Sequence, residues 1–287
     1  MSHQKPRLVS RATRLAVLVG LSALFVSTSA QSQPQSLLLA TTTSVQDSGL
    51  LDVLLPPFTE GSGIIVRTVA VGTGAALRMG AEGNADVLLT HAPAAEKELL
   101  DRGALSKRIE IMDNYFIIAG PPEDPAGISE ATHSSEAFKR IQQAEAPFVS
   151  RADDSGTHKK ESRLLRDSGI DPTQKRPGLT RTGSGMGASL LVAGQRRAYI
   201  LSDIGTFLAF RDRIDLAPLT SKFADLRNVY SILLVSPERF PKVRSREAQQ
   251  LASYLQSAEA QTIMMEFGRE RFGQPLFSPL SAEIAPR

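Results

Sequence analysis

The chain has 287 residues, 33 Lys and Arg against 30 Asp and Glu, and no Cys. That length suits about two ordinary domains, and 41% hydrophobic with 22% charged residues is a globular composition, not a disordered one. The missing Cys excludes disulfides, Fe–S clusters, Cys-based zinc sites and a thiol nucleophile.

The positive balance is local. Lys5, Arg7, Arg11 and Arg14 precede an apolar run at 15–26 (LAVLVGLSALFV) and the small residues Ser27, Thr28, Ser29 and Ala30. Basic, apolar and small-residue regions in that order predict a secretory signal peptide over residues 1–30, cleaved after Ala30. The apolar run is shorter than the roughly 20 residues that span a bilayer. No adjacent Arg pair stands among these cations, so the general secretory route is expected. Removing four cations and no acid turns the excess of three positive charges into a deficit of one. A mature chain without a basic excess gives no electrostatic support for a nucleic-acid partner.

Strand and helix signals alternate from there. Residues 36–40 (SLLLA) read as a strand that runs into Thr41, Thr42, Thr43 and Ser44. Asp47 and Ser48 can cap a helix carrying Leu50, Leu51, Leu54 and Leu55, which Pro56 and Pro57 should end or kink. Residues 64–71 (IIVRTVAV) are a β-branched strand leading into Gly72, Thr73, Gly74 and a short helix through Met79. Residues 86–90 predict a strand, 93–102 a helix closed by Gly103, and 111–119 a longer strand stopping at Gly120. A second set follows: helix at 130–143, strand at 147–150, a polar turn at 151–157 and a helix to Asp167. Then come a glycine-rich turn at 183–187 opening a helix through Ala193, a strand at 197–201, a helix at 203–210, a strand at 229–235 and an amphipathic helix at 244–267.

This alternation predicts parallel sheets flanked by helices, in two lobes. The strands at 111–119 and 229–235 are candidates to cross between them. Lobe I would comprise residues 31–120 with 229–287, and lobe II residues 121–228. Ligands of open α/β sheets bind at the carboxyl ends of strands, which puts one site in the cleft.

Four segments share one form, an apolar strand, then Gly, Ser or Thr, then a helix: 41–44, 72–74, 151–157 and 183–187. Each offers hydroxyls and backbone N–H groups at a helix start, where the dipole favours an anion. Arg151 is the fixed cation among them, able to reach a tetrahedral oxyanion with its planar fork or to pair with Asp153 or Asp154. Gly183-Ser184-Gly185-Met186-Gly187 puts Ser second, whereas a nucleophile elbow needs it third. No P-loop lysine or dinucleotide fingerprint is present, and the four His are scattered.

The sequence resembles the tungstate-binding periplasmic proteins of ABC transporters. The resemblance lies in Thr41–Ser44 with Asp47-Ser48-Gly49; Val71–Gly74; Ala85–Leu89 with His91-Ala92-Pro93; Met112 and Asn114 before Gly120-Pro121; and Ser150–His158. Gly183–Gly187, Ala198-Tyr199, Asp203 and Gly205-Thr206 continue it through nearly the whole mature chain. There is no Trp after Lys160, where the family often has an aromatic, and Ser184 stands where Gln or a similar residue is expected. The resemblance implies an α/β, two-lobed type II periplasmic-binding-protein fold with a ligand cleft between the lobes. It implies no enzyme activity, no cofactor and no metal-cation ligands, and a monomer in the periplasm that hands tungstate to an ABC transporter permease with its ATPase. Carried over by position, the oxyanion ligands are Thr42, Thr43, Ser44, Gly74, Arg151, Ser155 and Thr157. Molybdate, sulfate and phosphate receptors share these features, and an exported phosphoryl-handling hydrolase using Ser184 or His91 is the alternative of another class. His91 is expected to pack or cap beside the helix at Pro93.

Overall fold

The structure is a computed structural model that describes residues 36–220 and 222–280. The predicted signal segment, residues 1–30, lies outside the described residues. In chain order the first elements are β1 (Ser36–Thr42), α1 (Thr43–Ser48), α2 (Leu50–Ser62), β2 (Ile65–Val71), α3 (Thr73–Ala81), β3 (Val87–Thr90), α4 (Pro93–Asp101) and β4 (Leu105–Gly120). Next come α5 (Ser134–Gln143), β5 (Phe148–Ser150), α6 (Gly156–Asp167), β6 (Leu179–Arg181), α7 (Met186–Arg196), β7 (Tyr199–Asp203), α8 (Ile204–Phe210) and β8 (Ala217–Pro218). The chain continues through β9 (Arg227–Val235), α9 (Ser245–Leu255), α10 (Ala258–Glu266), α11 (Arg269–Phe272) and β10 (Ser278–Pro279).

The strands pair in the order β2-β1-β3-β9-β4-β7-β5-β6. β1 is parallel to β2 and β3, and β5 is parallel to β6 and β7. Antiparallel β9 and β4 join these two parallel groups. β4 is long enough to serve both: residues from Leu105 to Tyr115 pair with β9, and Phe116 to Ala119 pair with β7. The sheet therefore has two halves with one shared strand.

Side-chain alternation divides the core accordingly. On β1, β3 and β9, Leu39, Leu89 and Ile232 turn to one cluster, and Ala40, Leu88 and Leu233 to a cluster on the opposite face. In the other half Val149 and Ile200 join the first cluster, whereas Phe148 and Tyr199 belong to a third. One apolar layer thus runs under both halves, and each half keeps a private core on its other face. Each fully buried Leu or Ile in these layers contributes about 1.5–3 kcal/mol.

Several expectations are revised. The helix carrying Leu50 is α2, and Ser48 Oγ accepts the Leu50 N–H at 3.2 Å as expected, but Asp47 and Ser48 themselves end a separate short helix, α1, which starts at Thr43 with Thr42 in extended backbone as its N-cap. Gly49, at φ 78, then separates α1 from α2, a left-handed conformation that glycine adopts without steric cost. Pro56 and Pro57 do not end α2, which runs on to Ser62. The carbonyls those prolines leave unpaired belong to Asp52 and Val53 on the exposed face, where water reaches them, while Leu50, Leu51, Leu54 and Phe58 hold the helix to the core. The amphipathic segment at 244–267 is two helices, because Ser257 accepts from the Ala260 N–H and starts a new one.

Candidate functional site

Parallel strands bring their carboxyl ends to one place. β1 ends at Thr42, β2 at Val71, β3 at Thr90 before His91, and β5 at Ser150 before Arg151. A cavity of about 10 Å³ lies there. That is room for one small group, far below the roughly 300–1,000 Å³ of pockets for drug-sized ligands. Thr42, Thr43 and Ser44 line it from one turn, Val71, Gly72 and Thr73 from a second, and Arg151, Ser155, Gly156 and Thr157 from a third, with His91 between. No Asp or Glu lines it.

Six of the seven residues expected as ligands are on this wall. Gly74 is not; its neighbours Gly72 and Thr73 are. The fourth glycine-rich turn, 183–187, is also off the wall and does a different task. The Gly183 N–H donates to the Arg151 carbonyl at 2.8 Å, and Arg151 Nε donates to the Ser184 carbonyl at 3.4 Å. Ser184 thus steadies Arg151 through its backbone. The repeated sequence form hides this, because the same cap chemistry serves a ligand or a neighbouring loop equally well.

Arg151 is 3% exposed, yet charged, and it is held on two sides. Its Nη2 donates to Asp153 Oδ2 at 2.6 Å. Asp153 Oδ1 in turn accepts from the Ser155 hydroxyl at 2.6 Å and the Ser155 N–H at 3.2 Å. Ser155 Oγ also accepts from the His158 N–H, capping α6. Ser155 lines the cavity, but both its donors are committed to Asp153. Its part here is to fix the turn. Ala152 and Asp154, on either side of Asp153, sit at φ 48 and 57, a left-handed region that costs non-glycine residues energy. The strain is held by the bonds that Asp153 collects.

Thr73 is the residue the sequence reading undervalued. Its Oγ1 accepts the Gly156 N–H at 3.0 Å, tying the start of α3 to the start of α6 across the cavity. A Cβ at Gly156 would lie 2.8 Å from Thr73 Oγ1 and 3.1 Å from His91 Cε1, so only glycine fits this approach. Thr157, 1% exposed, follows immediately on the wall.

His91 is on the wall too, beyond the packing and capping expected of it. Its Nδ1 meets Asn228 Oδ1 at 3.0 Å, and its ring stacks on Tyr230 at 4.8 Å. Asn228 Nδ2 donates to Asn114 Oδ1 and to the Tyr230 hydroxyl, both at 2.9 Å. Those partners assign the Asn228 carbonyl to His91, hence the proton to Nδ1 and the lone pair to Nε2. Nε2 then accepts from Ser44 Oγ at 3.3 Å, and Ser44 Oγ is 3.1 Å from Thr42 Oγ1. Burial lowers the His91 pKa, which keeps the imidazole neutral near pH 7. Asp47, near the end of α1, is pushed up by burial first and by Asp203 second, with Arg151 opposing.

The fold and a small, donor-lined cavity at strand ends define a class, the periplasmic-binding-protein type. Residues 27–259 match the profile of the PBP superfamily domain. Within that class the chain belongs to the family of TupA tungstate-binding proteins. It is 41% identical over 250 residues to the tungstate-binding protein TupA of Peptoclostridium acidaminophilum, spanning 86% of this chain and 87% of the relative. The solved TupA from Desulfovibrio alaskensis G20 superposes with a TM-score of 0.77 at 37% identity, covering 86% of this chain and 99% of that one. The structure titled as the tungstate ABC transporter from Geobacter sulfurreducens gives 0.71 at 43% identity, over 79% of this chain and 97% of that one.

Proposed function

We propose that the protein is the exported receptor of an ABC importer and that it captures tungstate in this cavity. One observation carries the reading: the wall is made of hydroxyls, N–H groups at helix starts, a neutral imidazole and one guanidinium, without a carboxylate. Tungstate is fully deprotonated at neutral pH, so each of its oxygens only accepts. Phosphate keeps a proton there and gains from a carboxylate acceptor. Asp153 is the nearest candidate in sequence, and its two oxygens already accept from Arg151 and Ser155. The names of the relatives favour tungstate over molybdate, whose charge and shape are the same.

Thr42, Thr43, Ser44, Thr73, Arg151 and Thr157 are the donors of this reading, with Ser155 and Gly74 supporting the turns that carry them. Residues 31–120 with 229–287 act as one lobe and 121–228 as the other, hinged where the chain crosses at β4 and before β9. An anion that draws donors from both lobes stabilises the closed form by its differential affinity. The bond between Thr73 and Gly156 supports this, since it is available only when α3 and α6 meet. Residues 1–30 would direct export and be removed. The mature monomer in the periplasm would present its closed form to a permease driven by an ATPase. No helix among the described residues is long and apolar enough to cross a membrane.

Calorimetric titration of the ligand-free protein with tungstate, molybdate, sulfate and phosphate tests this. One site with tungstate far tighter than sulfate and phosphate is expected. Tighter phosphate or sulfate overturns the substrate, and no binding of any of the four overturns the receptor.

A further inference from the structure

Beside the oxyanion cavity lies a larger one, of about 490 Å³. The two share His91 and Gly156 as a common wall. That wall is thin, since a Cβ at Gly156 would come within 3.1 Å of the imidazole. Lys159, Lys160, Arg163 and Arg166 of α6 line the outer cavity together with Arg227, against Asp225 as the one carboxylate of the lining. Asp225 is engaged already, accepting the Ser134 hydroxyl. The first turn of α4, a helix of 9 residues, faces the same space and adds the positive end of its dipole.

Three of the cations have an acid close by: Lys159 with Asp154 at 3.6 Å, Arg163 with Asp167 at 3.7 Å, and Arg227 with Asp113. Lys160 and Arg166 have no ion-pair partner among the described residues. A solvated basic helix face would account for the exposed Arg166. It does not account for Lys160, which is half-buried with its ammonium 6.0 Å from the centre of the Phe116 ring. A desolvated ammonium without an ion pair is costly; the field of Asp225 and Asp167 and the Phe116 ring offset part of that cost, and an anion in the concavity would offset more.

We propose that this cavity is an outer anion site that collects the doubly charged tetrahedral oxyanion before it enters the inner one. The inference rests on the receptor reading above. When the two halves of the sheet part, the bond from Gly156 to Thr73 opens, and with it the wall between the cavities. The ion held among the α6 cations then needs only to move past His91. Fixed charge of one sign in a cleft raises the local concentration of a counter-ion and its rate of association, in a way that salt suppresses. Once the inner site closes, the outer cations no longer touch the ion, so they ease its entry and its exit by the same factor and leave the affinity unchanged.

Stopped-flow association of tungstate with the mature protein, followed by tyrosine fluorescence, tests the proposal. The compared proteins are the wild type, a Lys160→Gln/Arg166→Gln double variant, and Arg239→Gln, which lines neither cavity. In the double variant the association rate falls about tenfold at low salt and about threefold near 0.1 M salt, and the dissociation rate falls by the same factors, so the affinity is unchanged. Arg239→Gln matches the wild type. If the double variant does not fold, Arg166→Gln alone carries the test, with about a threefold fall at low salt. Tight binding at an unaltered association rate overturns the outer site alone. A faster dissociation at an unaltered association rate also overturns it, because the cations would then belong to the bound state. Failure of the wild type to bind tungstate overturns the receptor reading and this site with it.

Discussion

The turn after β1 and the turn after β5 both deliver hydroxyls to one cavity, and they are built on opposite plans. The Thr42–Ser44 turn has ordinary backbone, no side-chain cap bond, and an exposed Thr43. Its hydroxyls bond to each other and to His91 at 3.1 and 3.3 Å, lengths that are easily exchanged for a ligand. The Arg151–Thr157 turn carries two strained residues, a buried cation and bonds of 2.6 Å to Asp153. One turn stays adaptable and the other is preorganised. Preorganised charge costs nothing further when the anion arrives, so the β5 turn should dominate affinity and the β1 turn should tune it.

The largest break in that comparison is Arg151→Ala. It removes a charge-assisted donor and leaves the Asp153 carboxylate unpaired beside an anion site. A loss of about 3 kcal/mol or more in oxyanion binding is expected by calorimetry, and unchanged affinity would take Arg151 out of the site.

The β5 turn also rests on a strained support. Glu161, one turn into α6, is 2% exposed, and burial pushes its carboxyl up to about 7 although Ser150, the Arg151 N–H and the cations Arg176 and Arg151 pull it down. Its Oε2 has no hydrogen-bond partner among the described residues. A folded pKa above the ordinary 4.5 means that the stability it contributes is complete below pH 4.5 and is lost as pH rises through about 7. Glu161→Gln should therefore stabilise the protein by about 2–3 kcal/mol at pH 8 and by nothing near pH 4. Urea denaturation at the two pH values checks this, and equal shifts at both would contradict it.

Gly156→Ala tests the contact between α3 and α6. The added methyl meets Thr73 Oγ1 and His91, so closure is obstructed, and tungstate affinity should fall by about 1.5–2.5 kcal/mol. Small-angle scattering should show no compaction with ligand. Gly185→Ala, where a Cβ meets nothing within 4 Å, is the control and should change affinity by less than about 0.5 kcal/mol. The finest test pairs Thr157→Val with Thr43→Val. The buried Thr157 should cost about 1.5 kcal/mol and the exposed Thr43 about 0.5–1 kcal/mol. An equal or reversed order would mean that the two turns do not differ as described.

Much of this site is legible in the sequence because its pieces are local. A strand, a hydroxyl-rich turn and a helix start are neighbours in the chain, and so are Arg151, Asp153 and Ser155. What is hidden depends on distance. His91 meets Asn228 from 137 positions away, and Gly156 meets Thr73 from 83. Nothing in Gly183–Gly187 says that it will brace Arg151 and not face the ligand, because that follows from where β6 lies beside β5. β6 itself, Leu179–Arg181, is too short to show a strand period. The two prolines of α2 mislead for the same reason: their cost is decided by which face of the helix meets water.

The central claim is that the donor-lined cavity at the strand ends holds a fully deprotonated oxyanion. Anomalous diffraction at a tungsten absorption edge from crystals of the protein grown with tungstate tests it most directly. The account predicts one peak in the inner cavity, with oxygens at hydrogen-bond distance from Arg151, Thr157 and the Thr42–Ser44 turn. A single peak elsewhere, or a peak there out of reach of Arg151, would contradict it.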